Sequence, residues 1–199
     1  MAGRDVFINC PFSADYETHF RAIVFTVMRA GFEARCAREA DDAGENRYTK
    51  ICRIITECPY GIHDISKTEL DHHNLPRFNM PFELGLFLGA RQFGGQRKTT
   101  LILDIEPYRY QKFLSDIAGQ DIRTYDGGTS SIIEQTTAWL RAAHHDAQVP
   151  GGLSVVTDFG RFNHDLPDLC TAVRMDMKEI EFQDFKRFVA SWIAGEITE

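Results

Sequence analysis

The sequence predicts an α/β protein: an open three-layer α/β/α sandwich on a flavodoxin-like parallel five-stranded sheet, order 2-1-3-4-5, followed by a helical C-terminal extension. Three features predict it. Short β-rich apolar runs alternate with segments of helical periodicity, the connections between them are short, and the alternation stops at Pro150-Gly151-Gly152. Consecutive strands are then expected to run parallel, with helices on both faces.

Val6-Phe7-Ile8-Asn9 is a short β-rich run ended by Pro11 and Ser13, as expected of a buried first strand. Tyr16, Phe20, Ile23, Val24 and Val27 fall at helical spacing, and Gly31 stands where a glycine closes a helix. Phe32 to Cys36 reads as the second strand and Asp41 to Asn46 as an acidic loop, after which Tyr48, Ile51, Ile54 and Ile55 outline a helix. Tyr60 to Ile65 is the third strand, and the polar stretch from Lys67 to Asn74 has no periodicity. Phe82 to Ala90 forms a strongly apolar helix that stops at Gly94-Gly95, and Leu101 to Ile105 is the clearest strand in the chain. A helix from about Tyr108 to Ala118, a strand from Asp121 to Tyr125, a Gly127-Gly128 turn and a helix from Ser131 to Ala143 complete the alternation.

Beyond the glycine pair the pattern is helical only. Phe159, Phe162, Leu166, Leu169 and Val173 recur at three and four, with Pro167 expected to split that stretch in two. Phe182, Phe185, Phe188, Val189, Trp192 and Ile193 mark a final amphipathic helix. Residues 1–149 therefore read as the α/β domain and 150–199 as a helical extension. Its apolar face either packs on the sandwich or meets a protein partner or a second copy.

Composition narrows the function. The 199 residues hold 22 Lys plus Arg against 29 Asp plus Glu, a net charge of −7, and 43% are hydrophobic, enough for a sizeable core. An acidic chain with no Lys/Arg run is poorly suited to a phosphate backbone, so nucleic acid is not an expected partner. No window approaches 18 uninterrupted apolar residues, and no apolar signal follows the N-terminus, so neither secretion nor a membrane is expected. Cys10, Cys36, Cys52, Cys58 and Cys170 lie in apolar segments without a paired spacing, which reads as buried thiols in a cytoplasmic protein.

The expected ligand site is the cleft beyond the carboxyl ends of strands one and three. Two stretches reach it: Asp64-Ile65-Ser66, and the run from Arg77 through Asn79, Pro81 and Glu83 to Gly85. Pro81 suits a first helical turn and Asn79 is a good N-cap, so the helix is expected to begin near Met80 with Glu83 in its first turn. There the macrodipole favours the ionised carboxylate by about 0.3–1 kcal/mol. An acid flanked by Phe82 and Leu84 to Leu88 needs a partner or a purpose.

An Asp-Ile-Ser strand end followed by Asn-x-x-x-Glu-Leu-Gly opening the next helix resembles the nucleoside 2-deoxyribosyltransferase-like and TIR-like superfamily, over a layout of roughly residues 4 to 130. The proline of the family pattern is displaced, since this segment reads Arg77-Phe78-Asn79. The resemblance implies cleavage of an N-glycosidic bond in a nucleoside, nucleotide or NAD, with Glu83 as the catalytic glutamate. It also implies that Asp64 binds the sugar or assists proton transfer, unless Asp64 merely caps the loop through Ser66. Such chemistry needs no metal and no redox cofactor. Related TIR-like proteins often act as effectors in antiphage defence, so a regulated NAD-consuming effector is a natural setting.

At the end of strand one Asn9, Phe12 and Ser13 are placed to stack on and hydrogen-bond to a base or sugar, although the strand carries no tyrosine hydroxyl. Arg47 is the candidate for a substrate phosphate within a charged loop that includes Arg35, Arg38, Glu39, Asp41 and Asp42. His63, and Asp71 with His72-His73, lack the spacing of a metal site, and His144-His145 reads as a solvated helix end. Tyr108, Arg109 and Tyr110 follow strand four and either line the cleft or pack. The competing function is a non-catalytic nucleotide-binding sensor or adaptor using the same cleft.

Overall fold

Alternation along each strand decides which layer a residue joins. In the computed structural model, which describes residues 3–39, 44–68, 70, 75, 77–144 and 148–196, five strands form one sheet: β1 (Asp5–Asn9), β2 (Glu33–Arg35), β3 (Tyr60–Asp64), β4 (Thr99–Asp104) and β5 (Ile122–Thr124). All pairings are parallel and the order is 2-1-3-4-5, the expected flavodoxin-like arrangement. Val6 and Ile8 of β1, Ile62 of β3 and Leu101 and Leu103 of β4 face one side. There they meet α1 (Glu17–Arg29) and α4 (Thr129–His144). Phe7 faces the other side and packs with Ile54 of α2 (Arg47–Glu57) and Phe87 of α3 (Asn79–Phe93).

The C-terminal extension adds a further layer outside α1 and α4. It consists of α5 (Gly152–Ala172) and α6 (Phe182–Glu196), whose Phe159, Phe162, Phe185 and Trp192 belong to the same buried cluster as β1 and α1. Phe25 of α1 joins them, with ring centroids 5.2 Å from Phe162, 5.3 Å from Phe159 and 5.8 Å from Trp192. Rings of this size dominate burial, so this half of the core depends on the extension. Arg29 to Asp158 at 2.9 Å and an ion pair between Lys186 and Glu33 tie its edges.

Several details depart from expectation. Pro167 does not split α5, which runs unbroken through it because Phe162, Leu166 and Cys170 bury the flanking turns. The missing N–H and the ring remain a local penalty. Pro167→Ala is therefore expected to raise stability by about 1–3 kcal/mol, read as a higher melting temperature, and a lowered one would count against this account. The helix expected over Tyr108 to Ala118 is instead two short 3-10 turns, Arg109–Lys112 and Ser115–Ile117. Tyr108 takes a left-handed φ of 61° and Arg109 turns inward, so a regular helix cannot pass through them. His144 is only partly exposed: its Nδ1 pairs with the Tyr60 hydroxyl at 2.9 Å and its ring meets Phe32 edge-on. Asp41, Asp42, Asp71, His72, His73 and His145 lie outside the described residues.

Other positions behave as their chemistry requires. Gly31, at φ 80°, closes α1. All five cysteines are free thiols, and four of them are buried. Lys98 donates to the Ile55 and Cys58 carbonyls, each at 2.7 Å, and so closes the carboxyl end of α2. At Gly61 a Cβ would stand 2.7 Å from the Phe87 ring and 2.8 Å from His63 Nε2. Gly61→Ala is accordingly expected to cost about 1–3 kcal/mol by overpacking, measured by denaturant unfolding. A neutral result would show that α3 can move away from β3. Among the described residues no helix is long and apolar enough to cross a membrane.

Candidate functional site

The loop after β1, the start of α2 and the start of α3 converge at the carboxyl end of the sheet and enclose a cleft of about 620 Å³. Asn9, Phe12, Ser13, Arg47, Asn79 and Glu83 all line it. Cys10, Pro11, Arg77, Phe78 and Met80 complete the lining. Asp64 and Ser66 are fully buried and do not reach the cleft.

Glu83 is only 6% exposed, and that residual surface opens on the cleft. Burial raises its pKa from 4.5 to about 7, with the nearby Arg47 guanidinium pulling the other way. This corrects the expected dipole-stabilised carboxylate. Asn79 is the first residue of α3, not its cap, and Phe78 in the cap position makes no side-chain bond to the helix amides. Glu83 therefore sits in the second turn, where the end of the macrodipole has little reach and desolvation decides. Burial thus makes this carboxyl far easier to protonate near neutrality than an ordinary glutamate.

The position of Glu83 is fixed from both sides of α3. Leu84 and Phe87 bury its inner face. At its start the Asn9 amide donates to the Met80 carbonyl at 2.8 Å. The same Nδ2 lies 3.0 Å from His63 Nδ1. An amide nitrogen can only donate, so Nδ1 accepts and the imidazole proton is on Nε2. His63 is fully buried and desolvation lowers its pKa to about 3, so the ring is neutral. Among the described residues its Nε2 has no hydrogen-bond partner, and the ring stands edge-on to Phe87 at 5.0 Å. His63 thus orients Asn9. Among the described residues no group of three His, Cys, Asp or Glu side chains is gathered for a metal.

Phe12 is held by Arg38, which lies 4.5 Å from its ring centroid and donates to its carbonyl at 3.0 Å. Arg47 is exposed at the first position of α2, whose amides are capped by Asn46 accepting from Tyr48 N at 2.9 Å. It also borders an adjoining hollow of about 480 Å³ that carries Arg21, Arg38, Lys50 and Lys178 alongside Glu17, Glu179 and Glu181. Arg35 is engaged away from the cleft, with Glu39 at 2.5 Å and Glu57 at 2.8 Å.

Asp64 occupies a capping position. Its carboxylate accepts from Ser66 N at 2.7 Å, from the Tyr125 hydroxyl at 2.9 Å and from the Tyr16 hydroxyl. Desolvation raises its pKa against these donors. The arrangement ties the lead-in of α1 to the ends of β3 and β5, and leaves Asp64 no face toward a ligand. Sequence reasoning missed Tyr16 and Tyr125 here, and within the run expected to reach the cleft it did not single out Arg77, Phe78 or Met80, nor Cys10 and Pro11 after β1. Arg77 and Phe78 stand directly before Asn79, so proximity to the motif was the available signal.

No protein-family model matches the chain, and no curated protein matches it. Fold and cleft together define a parallel α/β protein with one carboxyl group of near-neutral pKa facing a ligand-sized hollow at the ends of its first and third strands.

Proposed function

We propose that this protein cleaves the N-glycosidic bond of a nucleoside, nucleotide or NAD, with Glu83 as the catalytic carboxylate. The observation that carries the reading is Glu83 itself, buried to 6% exposure yet facing a cleft of about 620 Å³. That volume suits a nucleoside-sized ligand. Resemblance of the Asp-Ile-Ser and Asn-x-x-x-Glu-Leu-Gly segments to the nucleoside 2-deoxyribosyltransferase-like and TIR-like superfamily supports the same assignment.

In the reaction the bond between C1′ and the base nitrogen breaks, and its electron pair leaves with the base. The sugar becomes an oxocarbenium-like cation, which ionised Glu83 stabilises or traps as an ester before water or a second acceptor takes C1′. Phe12 supplies a stacking face and Asn79 a polar contact. Arg47, beside Glu83 and next to a hollow with further cations, favours a substrate bearing phosphate. Asp64 takes no direct part. A cytoplasmic setting agrees with five free thiols, and NAD consumption in antiphage defence is the biological role the resemblance suggests.

Incubation with NAD, nucleotides and 2′-deoxynucleosides, followed by chromatography for free base, tests the reading. Release by the native chain, lowered at least about 100-fold in Glu83→Gln, is the expected result. Release undiminished by the substitution removes Glu83 from the mechanism. Tight binding with no turnover of any of them makes the cleft a sensor site.

A further inference from the structure

A helix on the surface of an acidic protein ordinarily turns charge outward; α3 does not. Phe78, Phe82, Gly85, Leu86, Gly89 and Phe93 fall within about 100° of one another around its axis at 3.6 residues per turn. None carries a charge. Phe78 is 68% exposed, Phe82 54% and Phe93 86%, and Tyr48 of α2, also 54% exposed, lies against Phe82 with ring centroids 6.3 Å apart. By contrast Leu153 and Val173, exposed on the C-terminal extension, are solitary side chains of the kind that needs no explanation.

We propose that this face of α3 is a two-fold interface between two copies of the chain. At roughly 200 Å² per ring, the four aromatic side chains alone expose about 500 Å². A stable interface buries about 800 Å² per partner, and Leu86, Ala90 and the backbone of the glycines adjoin the rings to supply the remainder. The occupant is a second copy because the face complements itself. A Cβ placed on Gly85 or Gly89 meets nothing within 4 Å, so two helix backbones can approach closely there. An antiparallel crossing centred on residue 87 sets Gly85 of one copy against Gly89 of the other, with Phe82 beside Phe93 across the axis. Two chains of net charge −7 repel each other over most of their surfaces, and an uncharged stripe is where they can meet. Phe78 also lines the cleft, so the second copy stands at the cleft's rim. The inference does not rest on what the cleft binds.

Sedimentation velocity of the full chain, from low micromolar to sub-millimolar concentration, provides the test. The native chain is expected to be a dimer, and Phe82→Glu, Phe93→Glu and Gly85→Leu each to weaken it about 30-fold or more. Leu153→Glu, on α5, is expected to leave it intact. Gly85→Leu guards against misfolding as an explanation, since open space and better helix propensity let it fold at least as well as the native chain. A native chain that stays monomeric throughout overturns the proposal, as does a dimer that ignores the α3 substitutions or yields to Leu153→Glu. Monomers that float with lipid vesicles through Phe82 and Phe93 would overturn it too, by giving the face a membrane occupant.

Discussion

Glu83→Gln is expected to lower base release by about 10²- to 10⁴-fold, the range one positioned acid–base group supplies, while making the protein more stable near pH 8. Both effects have one cause. Burial lifts the Glu83 pKa from 4.5 to about 7, so between those values the folded protein keeps a proton that the unfolded chain has released. Stability then falls as pH rises through the window, by about 3 kcal/mol in all at 1.36 kcal/mol per pKa unit. Below pH 4.5 both states are protonated and the loss is absent; above pH 7 it is complete. Glutamine keeps the shape and discards the charge, so its advantage appears only on the alkaline side. Urea unfolding of both proteins at pH 5 and pH 8 reads this directly, and an equal difference at the two pH values would show that Glu83 is not desolvated in solution. Activity should respond in the opposite sense. If the ionised form stabilises the sugar cation, kcat/KM rises with pH through a midpoint near 7 and levels off above it; a falling profile would make Glu83 a proton donor to the leaving base.

The architecture was legible because strands and helices carry their own periods. Val6 and Ile8 against Phe7 announce two buried faces, and Gly31 marks the end of α1 at the residue where φ turns positive. What the sequence withheld depends on contacts between distant residues. Tyr16 and Tyr125 reach Asp64 across 48 and 61 residues, and no local pattern records that convergence. Asp64 was therefore left open between a sugar-binding and a capping part. The cleft was more visible, since Asn9, Phe12, Ser13, Arg47, Asn79 and Glu83 sit at the strand ends and helix starts where a parallel sheet gathers its ligands. The electrostatics of Glu83 were misjudged for a local reason. A one-residue change in where α3 begins moved it out of the first turn, and burial outweighed a dipole worth under about 1 kcal/mol. Likewise the amphipathic stripe of α6 could be read, but not that Phe25 of α1 was its destination.

Arg109→Leu is expected to be the most damaging single substitution for stability, costing about 3–5 kcal/mol. Asp104 at the end of β4 is fully buried, and Arg109 reaches one of its oxygens through Nε at 2.9 Å and Nη2 at 2.6 Å. The same guanidinium donates to the carbonyls of Ile65 at 2.8 Å and Ser66 at 2.9 Å, and to Thr68 Oγ1 at 3.0 Å. One planar group thereby closes the ends of β3 and β4, a task for which lysine lacks the fork. Among the described residues the other Asp104 oxygen has no partner, and besides Arg109 the bonded oxygen accepts only from Ile105 N at 2.8 Å, so one backbone amide would be left to hold the charge. Leucine in place of Arg109 strands that charge and leaves the strand-end carbonyls without donors. Arg109→Lys should fall between the two, keeping a charge but losing bonds. Adding Asp104→Leu to Arg109→Leu removes the stranded carboxylate and is expected to restore most of the loss, because a buried pair is more costly to break than to replace with apolar side chains. Urea unfolding of the two single variants and the double variant separates these contributions. A double variant no more stable than Arg109→Leu would assign the damage to the carbonyls, and a single variant within about 1 kcal/mol of the native chain would mean water replaces the guanidinium at a surface less closed than its 15% exposure implies.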